Sequence, residues 1–144
     1  MSNRRGRTLH ARSRARSWAL QLLYAWELTA DGSLAGYTAG ALRHRRMSPR
    51  YRPHVEHILG LVEANLGGID ALLEETMPNW KLDRLDAIDR NILRIGIAEL
   101  LYADEIPPKV AIHEAIRLAG RYGSEESSRF VNGVLDAVHR KVAV

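Results

Sequence analysis

The sequence predicts an all-α protein with about seven helices. Apolar residues recur at intervals of three and four positions along most of the chain, and no segment shows the strict alternation of a half-buried strand. The stretches between these periodic segments contain prolines, glycines and small polar residues, which are typical of helix ends and turns. With 144 residues and 46% hydrophobic content, the chain is long enough for one domain with a sizeable core.

The first helix is predicted over residues 14–28. Its apolar face must pack on a core and comprises Ala15, Trp18, Ala19, Leu22, Leu23 and Trp26. A second face, with hydroxyls, an amide and a phenol, comprises Ser13, Ser17, Gln21 and Tyr24. Such a face offers an aromatic ring for base stacking and groups that hydrogen-bond base edges. Leu20 and Leu28 lie on the same side, so a covering helix or protein partner is the alternative.

Positive charge is concentrated at the start of the chain. Residues 1–52 carry 11 basic side chains against two acids, a balance of +9, whereas residues 53–144 carry 10 basic and 15 acidic side chains, a balance of −5. Six arginines precede the first acid, and they are Arg4, Arg5, Arg7, Arg12, Arg14 and Arg16. About residues 1–13 are therefore predicted to form a flexible phosphate-binding arm, with a solvated tail as the alternative.

The middle of the chain is predicted to contain three helices of unequal strength. Residues 34–46 form a weaker helix because two glycines interrupt it, and residues 47–53 form a linker with two prolines. A helix over residues 53–66 is expected to end at the Gly67-Gly68 pair. A short helix over residues 69–75 follows.

The next helix is predicted to be the centre of the fold. It should begin at a capping aspartate, Asp83 or Asp86, and extend to about residue 104. Apolar residues surround most of its second half, so we expect it to be buried on most sides. Asp86 is also placed to form an i, i+4 ion pair with Arg90.

Two further helices are predicted to complete the chain. The first covers residues 109–122, after a proline pair that pre-sets its start, and Gly123 is expected to supply a left-handed stop. Ser124 is a good N-cap for the last helix. The apolar stripe of this helix comprises Val131, Val134, Leu135, Val138 and Val142.

Composition and spacing disfavour several classes of function. The chain has no cysteine, which excludes disulfides, thiolate metal sites and a cysteine nucleophile. No apolar run approaches the roughly 18 residues of a membrane span, and no signal peptide is evident, so we expect a cytoplasmic protein. His54 and His57 lie one helical turn apart, but without a third ligand nearby a solvated pair is preferred to a metal site. We therefore expect no cofactor, no metal and no enzymatic activity.

Four blocks of the sequence closely resemble the NusB family of transcription antitermination proteins. They are residues 12–24 (RSRARSWALQLLY), 79–94 (NWKLDRLDAIDRNILR), 106–116 (IPPKVAIHEAI) and 130–136 (FVNGVLD). The resemblance covers nearly the whole chain at the family's spacings and is weakest over residues 34–53. It implies two small three-helix bundles and a single RNA-binding domain over residues 1–144. It also implies binding to single-stranded boxA RNA of ribosomal RNA leaders. The implied partners are the tenth protein of the small ribosomal subunit and the antitermination complex on RNA polymerase.

The resemblance also implies roles for particular residues. By position, the RNA-binding residues would be Arg12, Arg14, Arg16, Gln21, Tyr24, Glu126 and Phe130. Asp83 and Asp89 would bind the ribosomal protein. Phe130 also lies at the margin of the last apolar stripe, so packing in the core is equally open for it.

Three alternatives remain at the level of the sequence. The same fold forms the RNA-binding front end of ribosomal RNA cytosine methyltransferases, but those enzymes carry a long methyl-donor-binding domain after it. Because this sequence ends at Val144, we expect the standalone factor. A purely structural helical adaptor would leave the arginines of the arm unexplained. The free protein is either a monomer or a homodimer that hides its RNA-binding face.

Overall fold

The computed structural model describes the backbone of residues 3–29, 32–44 and 47–143, and the side chains of residues 11–29, 32–42 and 47–143. Six α-helices and one 3-10 helix occupy this part of the chain, which confirms the all-α class. The α-helices are α1 (Asn3–Thr29), α2 (Leu34–His44), α3 (Arg52–Thr76), α4 (Ala87–Tyr102), α5 (Pro108–Tyr122) and α6 (Ser127–Val142). The 3-10 helix is Leu82–Arg84. None of these described helices is long and apolar enough to cross a membrane.

The helices form two small bundles that share one core. Helices α1, α2 and α3 pack against one another, and α4, α5 and α6 form the second group. Because α4 also packs against α1 and α3, the two bundles meet along α4. One cluster of buried apolar side chains extends from Ala15 in α1 to Val138 in α6. This arrangement confirms the two packed bundles that the family resemblance implies.

Helix α1 is longer than the sequence pattern predicts. It begins at Asn3 rather than at residue 14, so the backbone of the predicted arm continues the helix. The predicted apolar face is confirmed, because its alanines and leucines are fully buried and Trp18 and Trp26 pack on the core. The side chains of Arg4, Arg5 and Arg7 lie outside the described residues, and the flexibility of the arm stays a prediction.

Helix α3 replaces two predicted helices. It continues unbroken from Arg52 to Thr76, so the helix end predicted at Gly67-Gly68 is wrong. Ile69 and Leu73 in its second half are fully buried. Burying a large apolar side chain contributes about 1.5–3 kcal/mol, whereas each glycine costs about 1 kcal/mol in a helix. Packing therefore outweighs the local preference of the two glycines.

Helix α4 is the centre of the fold, as predicted. Every residue from 91 to 99 is buried, including the polar residues Asn91, Arg94 and Glu99. Asp86 caps the helix, because its carboxylate accepts a hydrogen bond of 2.8 Å from the backbone N–H of Ile88. Since position 86 provides the cap, Asp83 lies before it in the 3-10 helix.

The connection between α5 and α6 differs from the prediction. Gly123 follows α5 with extended backbone angles (φ −91°, ψ −170°), so the left-handed stop is wrong. The position needs glycine for space instead, since a Cβ atom there would lie 2.6 Å from Cβ of Ser127. The N-cap predicted at Ser124 is wrong, because α6 begins at Ser127 and its N-cap position is Glu126. The backbone N–H of Ser124 donates to the Ser127 hydroxyl at 2.9 Å.

Gly96 allows α4 and α6 to approach closely, which generates a test of the core. A Cβ atom at this position would lie 2.8 Å from Cδ1 of Leu135, which is fully buried, and 3.4 Å from Cβ of Ala115. We expect Gly96→Ala to lower the free energy of unfolding by about 1–2 kcal/mol, because overpacking outweighs the gain in helix propensity. Urea denaturation measures this change.

Gly67→Ala is the matched control, because a Cβ atom at Gly67 meets nothing within 4 Å. The same substitution there should raise the free energy of unfolding by about 0.5–1 kcal/mol. Equal stabilisation by both alanines would contradict the close contact between α4 and α6.

Candidate nucleic-acid interface

The predicted polar face of α1 is divided between the interior and the solvent. Ser13 donates a hydrogen bond of 2.6 Å to Glu114 of α5, and Ser17 is buried. Gln21 is exposed and Tyr24 is half-buried. The division arises because α5 covers the first part of this face. Only Gln21 and Tyr24 therefore offer the amide and the phenol to a ligand.

Arg16 is held inside the protein by carboxylates. Its side chain is 3% exposed, and its guanidinium donates two hydrogen bonds, of 2.7 and 2.9 Å, to the Glu99 carboxylate of α4. Glu114 lies 3.4 Å from the same guanidinium. The RNA contact predicted for Arg16 does not fit this geometry, because its donors point into the core.

Glu114 connects α5 to the start of α1. It accepts hydrogen bonds from Ser13 and Arg117, and Arg117 also donates to the backbone carbonyl of Ser13 at 3.1 Å. Burial raises the pKa of Glu114, but these hydrogen bonds and the charge of Arg16 outweigh burial, so its pKa lies below the ordinary value. Glu114 is therefore ionised at neutral pH and fixes the orientation of this part of α1.

Arg12 and Arg14 differ from Arg16 in their exposure. Arg14 is exposed, and Arg12 is half-buried at the edge of a small cavity. His54 and His57 line the same cavity. His57 lies 2.9 Å from the exposed carboxylate of Glu105, and no metal-binding group of three or more suitable side chains occurs in the described part of the chain. Two of the three predicted arginines are therefore placed where a phosphate group can reach them.

Tyr24 presents an aromatic ring that the core does not require. It is half-buried, and it is not among the aromatic residues that pack against the main core cluster. The two leucines on the same side of α1 behave differently, since Leu20 is 1% exposed and Leu28 is 65% exposed. The alternative of a covering helix thus holds for Leu20, whereas the surface around Tyr24 and Leu28 is open.

Phe130 belongs to both the core and the surface. It packs partly on the main cluster, and its ring centroid lies 6.0 Å from that of Trp80 at an interplanar angle of 58°. Trp80 is 58% exposed. Glu126 is exposed at the N-cap position of α6 and makes no capping hydrogen bond with its side chain. The aromatic pair gives this end of α6 an exposed π surface.

The two predicted partner-binding aspartates flank the start of α4. Asp83 is exposed in the 3-10 helix, whereas Asp89 is half-buried and its Oδ1 atom has no hydrogen-bond partner in the described part of the chain. Burial and the charge of Asp86 raise the pKa of Asp89, and the nearby Ser127 hydroxyl opposes them only in part. Asp83 is therefore the one of the two aspartates that is already accessible at the surface.

A polar cleft of about 830 Å³ lies beside these aspartates. Glu27 of α1 binds both Arg90 and Arg94 of α4, and Arg94 also binds Asp70 of α3 at 2.9 Å. The predicted pairing of Arg90 with Asp86 is wrong, because Glu27 takes its guanidinium. Burial raises the pKa of Glu27, but the two arginines outweigh burial and lower it.

The fold and this surface together define a class of protein. Two small helical bundles, led by a basic helix with an exposed amide and a half-buried phenol, form the architecture of a helical RNA-binding protein. The profile of the NusB family matches residues 13–140, and the chain belongs to this family.

Relatives and solved structures match this chain over nearly its whole length. The transcription antitermination protein NusB of Myxococcus xanthus is 42% identical over 132 residues, which cover 89% of this chain and 94% of that protein. The corresponding protein of Desulfosudis oleivorans is 37% identical over 134 residues, which cover 92% and 87%. T. maritima NusB superposes with a TM-score of 0.79 at 34% identity, covering 90% of this chain and 91% of that one.

A further solved structure is described as antitermination factors NusB and NusE in complex with double-stranded RNA. It superposes with a TM-score of 0.78 at 25% identity and covers 92% of this chain and 98% of that one. The NusB fold is thus found in a complex that contains both an RNA and a protein partner.

Three important residues were not singled out by the sequence analysis. Glu99 lies within a fully apolar part of the sequence, whereas Glu27 lies beside an apolar face. A charged residue in fully apolar surroundings could have suggested a buried ion pair, and this signal is present only for Glu99. Trp80 lies outside the periodic apolar segments of the sequence. Its side chain has no periodic neighbours, so nothing in the sequence predicted its contact with Phe130.

The buried pair of Arg16 and Glu99 gives a prediction about stability. We expect Arg16→Ala to lower the free energy of unfolding by about 3–5 kcal/mol, because it leaves the Glu99 carboxylate buried without a counter-charge. Arg14→Ala is the control, since Arg14 is exposed and should change stability by less than about 0.5 kcal/mol. Thermal and urea unfolding distinguish the two variants. A small effect of Arg16→Ala would show that this guanidinium is not in the core.

Proposed function

We propose that this protein is a transcription antitermination factor that binds single-stranded boxA RNA of ribosomal RNA leaders. The observation that carries the proposal is the match to NusB antitermination proteins over nearly their whole length, 94% for the M. xanthus protein. The role requires binding and no catalytic group, and it places the protein in the cytoplasm with RNA polymerase.

The RNA-binding surface consists of the exposed side of α1 and the start of α6. Arg12 and Arg14 supply positive charge, which provides most of the sequence-independent affinity for RNA. Gln21 supplies donor and acceptor groups for base edges, and Tyr24 supplies a face for stacking. Phe130 extends the aromatic surface through its contact with Trp80. Charge positions the strand, and the amide and the rings discriminate among bases.

Arg16 has a different role in this proposal. Its guanidinium binds Glu99 and so fixes the orientation of α1, which places Gln21 and Tyr24 at the surface. A substitution at Arg16 would weaken RNA binding through the fold and not through a lost phosphate contact.

The protein-binding surface lies at the start of α4. Asp83 is exposed there, and Asp89 lies close by with a carboxylate oxygen that has no hydrogen-bond partner among the described residues. Uncompensated carboxylates suit a basic partner such as the tenth protein of the small ribosomal subunit, since complementary charges steer association. RNA and protein partner would then be held in one complex with RNA polymerase. A homodimer of the free protein that covers the α1 surface would compete with RNA.

The RNA-binding proposal is tested at Tyr24. We expect Tyr24→Ala to lose about 1–3 kcal/mol of affinity for a boxA oligonucleotide if a base stacks on the ring. The melting temperature should change little, because Tyr24 is not part of the main core cluster. Fluorescence anisotropy of a labelled single strand measures the affinity.

Leu28→Ala is the matched control for Tyr24→Ala, because Leu28 is an exposed residue of the same helix without an aromatic ring. Its RNA affinity should equal that of the unmodified protein. If the unmodified protein binds no RNA, the proposed function is wrong. If it binds RNA and Tyr24→Ala has no effect, the bases lie elsewhere.

The protein-binding proposal is tested by charge reversal at Asp83. We expect Asp83→Lys to weaken association with the ribosomal protein about tenfold or more, since the new charge repels a basic partner. Asp89→Asn is the companion variant, because it removes the half-buried charge without placing a lysine there. Asp104→Lys, an exposed reversal after the other end of α4, serves as the control. Calorimetric titration measures the affinity for the ribosomal protein. Unchanged affinity of both Asp83→Lys and Asp89→Asn would reject this surface.

A further inference from the structure

A small cavity lies where the arm-bearing end of α1 meets the start of α3. Its volume is about 120 Å³. Charged and titratable groups from α1, α3, α4 and the following loop line it, and they are Arg12, Arg16, His54, His57, Glu99 and Glu105. The side chain of His57 is half-exposed, so the cavity opens to solvent on this side.

The ion pairs around the cavity leave two nitrogen-bearing groups available. Arg16 is bound to Glu99 through two hydrogen bonds, and His57 is bound to Glu105. Among the described residues, no hydrogen bond or ion pair joins the side chain of Arg12 or His54 to a partner, although the charge of Arg12 is near enough to Glu105 to help lower its pKa. Both carboxylates of the cavity are therefore already paired, whereas an arginine and an imidazole are left to receive a ligand.

The pKa of His54 lies below its ordinary value. Burial lowers its pKa most, and the charges of Arg12, Arg16 and His57 lower it further. The carboxylates of Glu99 and Glu105 do not reverse this effect. The neighbouring cations favour an anion at this place, whereas burial alone disfavours a charge of either sign.

The size of the cavity limits the ligand to a small group. A volume of about 120 Å³ corresponds to about four water molecules at roughly 30 Å³ each. Sites for whole cofactors or drug-sized ligands usually measure about 300–1,000 Å³. The enclosed space therefore suits one phosphate group, and the rest of a nucleotide would lie outside it.

We propose that this cavity binds a phosphate group, with Arg12 and His54 as its donors, and that the phosphate is one of the RNA backbone. This inference rests on the proposed RNA-binding function and extends its surface from α1 to the start of α3. The sequence alone indicates only a solvated pair of histidines at positions 54 and 57. Inorganic phosphate has the same chemistry, so the test separates the two sources.

Binding at this place couples RNA affinity to pH. An anion beside His54 favours the protonated imidazole and raises its pKa from the lowered value of the free protein. Affinity should therefore increase as pH falls from the pKa of the bound state to that of the free state, and remain constant below both. This window lies within the range of about pH 5 to 8 in which histidines titrate. One linked proton changes the affinity by at most about tenfold per pH unit.

The experiment measures binding of a single-stranded boxA oligonucleotide across this pH range. We expect the affinity of the unmodified protein to increase toward acidic pH and that of His54→Gln to lose this increase. His139→Gln is the control, because His139 lies in the last turn of α6 and does not line the cavity. Arg12→Ala should reduce the slope of log affinity against log salt by about 0.7. Melting temperatures of all variants verify the fold.

A second experiment uses inorganic phosphate alone and follows the imidazole resonance of His54 by NMR. This resonance is assigned through its absence in His54→Gln. A phosphate-dependent shift together with the pH-dependent RNA affinity supports the proposal. A shift without any effect of His54→Gln on RNA binding assigns the cavity to a free anion and overturns the RNA backbone as the source. RNA binding without either effect overturns the cavity proposal and leaves the proposed function intact. Absence of RNA binding at every pH rejects the function, while the phosphate titration still judges the cavity.

Discussion

The structure depends on the pairing of charges between α1 and α4. Residues 91–99 of α4 are all buried, so its arginine and glutamate side chains can persist there only with partners of opposite charge. α1 supplies both, because Arg16 binds Glu99 near the end of α4 and Glu27 binds Arg94 near its start. The two helices are therefore antiparallel and fixed in register at two points. A shift of one helical turn would leave several buried charges unpaired, a cost that apolar packing alone would not impose.

This register determines which side of α1 reaches the solvent. With Arg16 and Glu27 turned inward, Gln21 and Tyr24 lie between them on the outside of the helix. The polar cleft beside Glu27 and the small cavity beside Arg16 lie at the two ends of the paired segment. The contacts that stabilise the two bundles thus also place the proposed RNA-binding groups. Residues needed for folding and residues proposed to bind RNA lie one or two turns apart on the same helix.

The sequence predicted the architecture better than the roles of individual residues. Apolar periodicity was sufficient for the class, for the central helix α4 and for the buried face of α1. It failed at Gly67-Gly68 and at Gly123, because long-range packing and a close approach of Ser127, both invisible to local pattern, decide the backbone there. Among the arginines, identical side chains at alternate positions suggested identical roles. Only the positions of α4 and α5 distinguish exposed Arg14 from buried Arg16.

The internal position of Arg16 has a consequence for how the basic start of the chain is understood. Counting arginines overstates the charge that a nucleic acid meets, because one of them is neutralised by Glu99 and Glu114 before any ligand arrives. Exposed Arg14 can change without disturbing the fold. Position 16 can change only together with position 99, so the two should be inherited as a unit while their neighbours diverge.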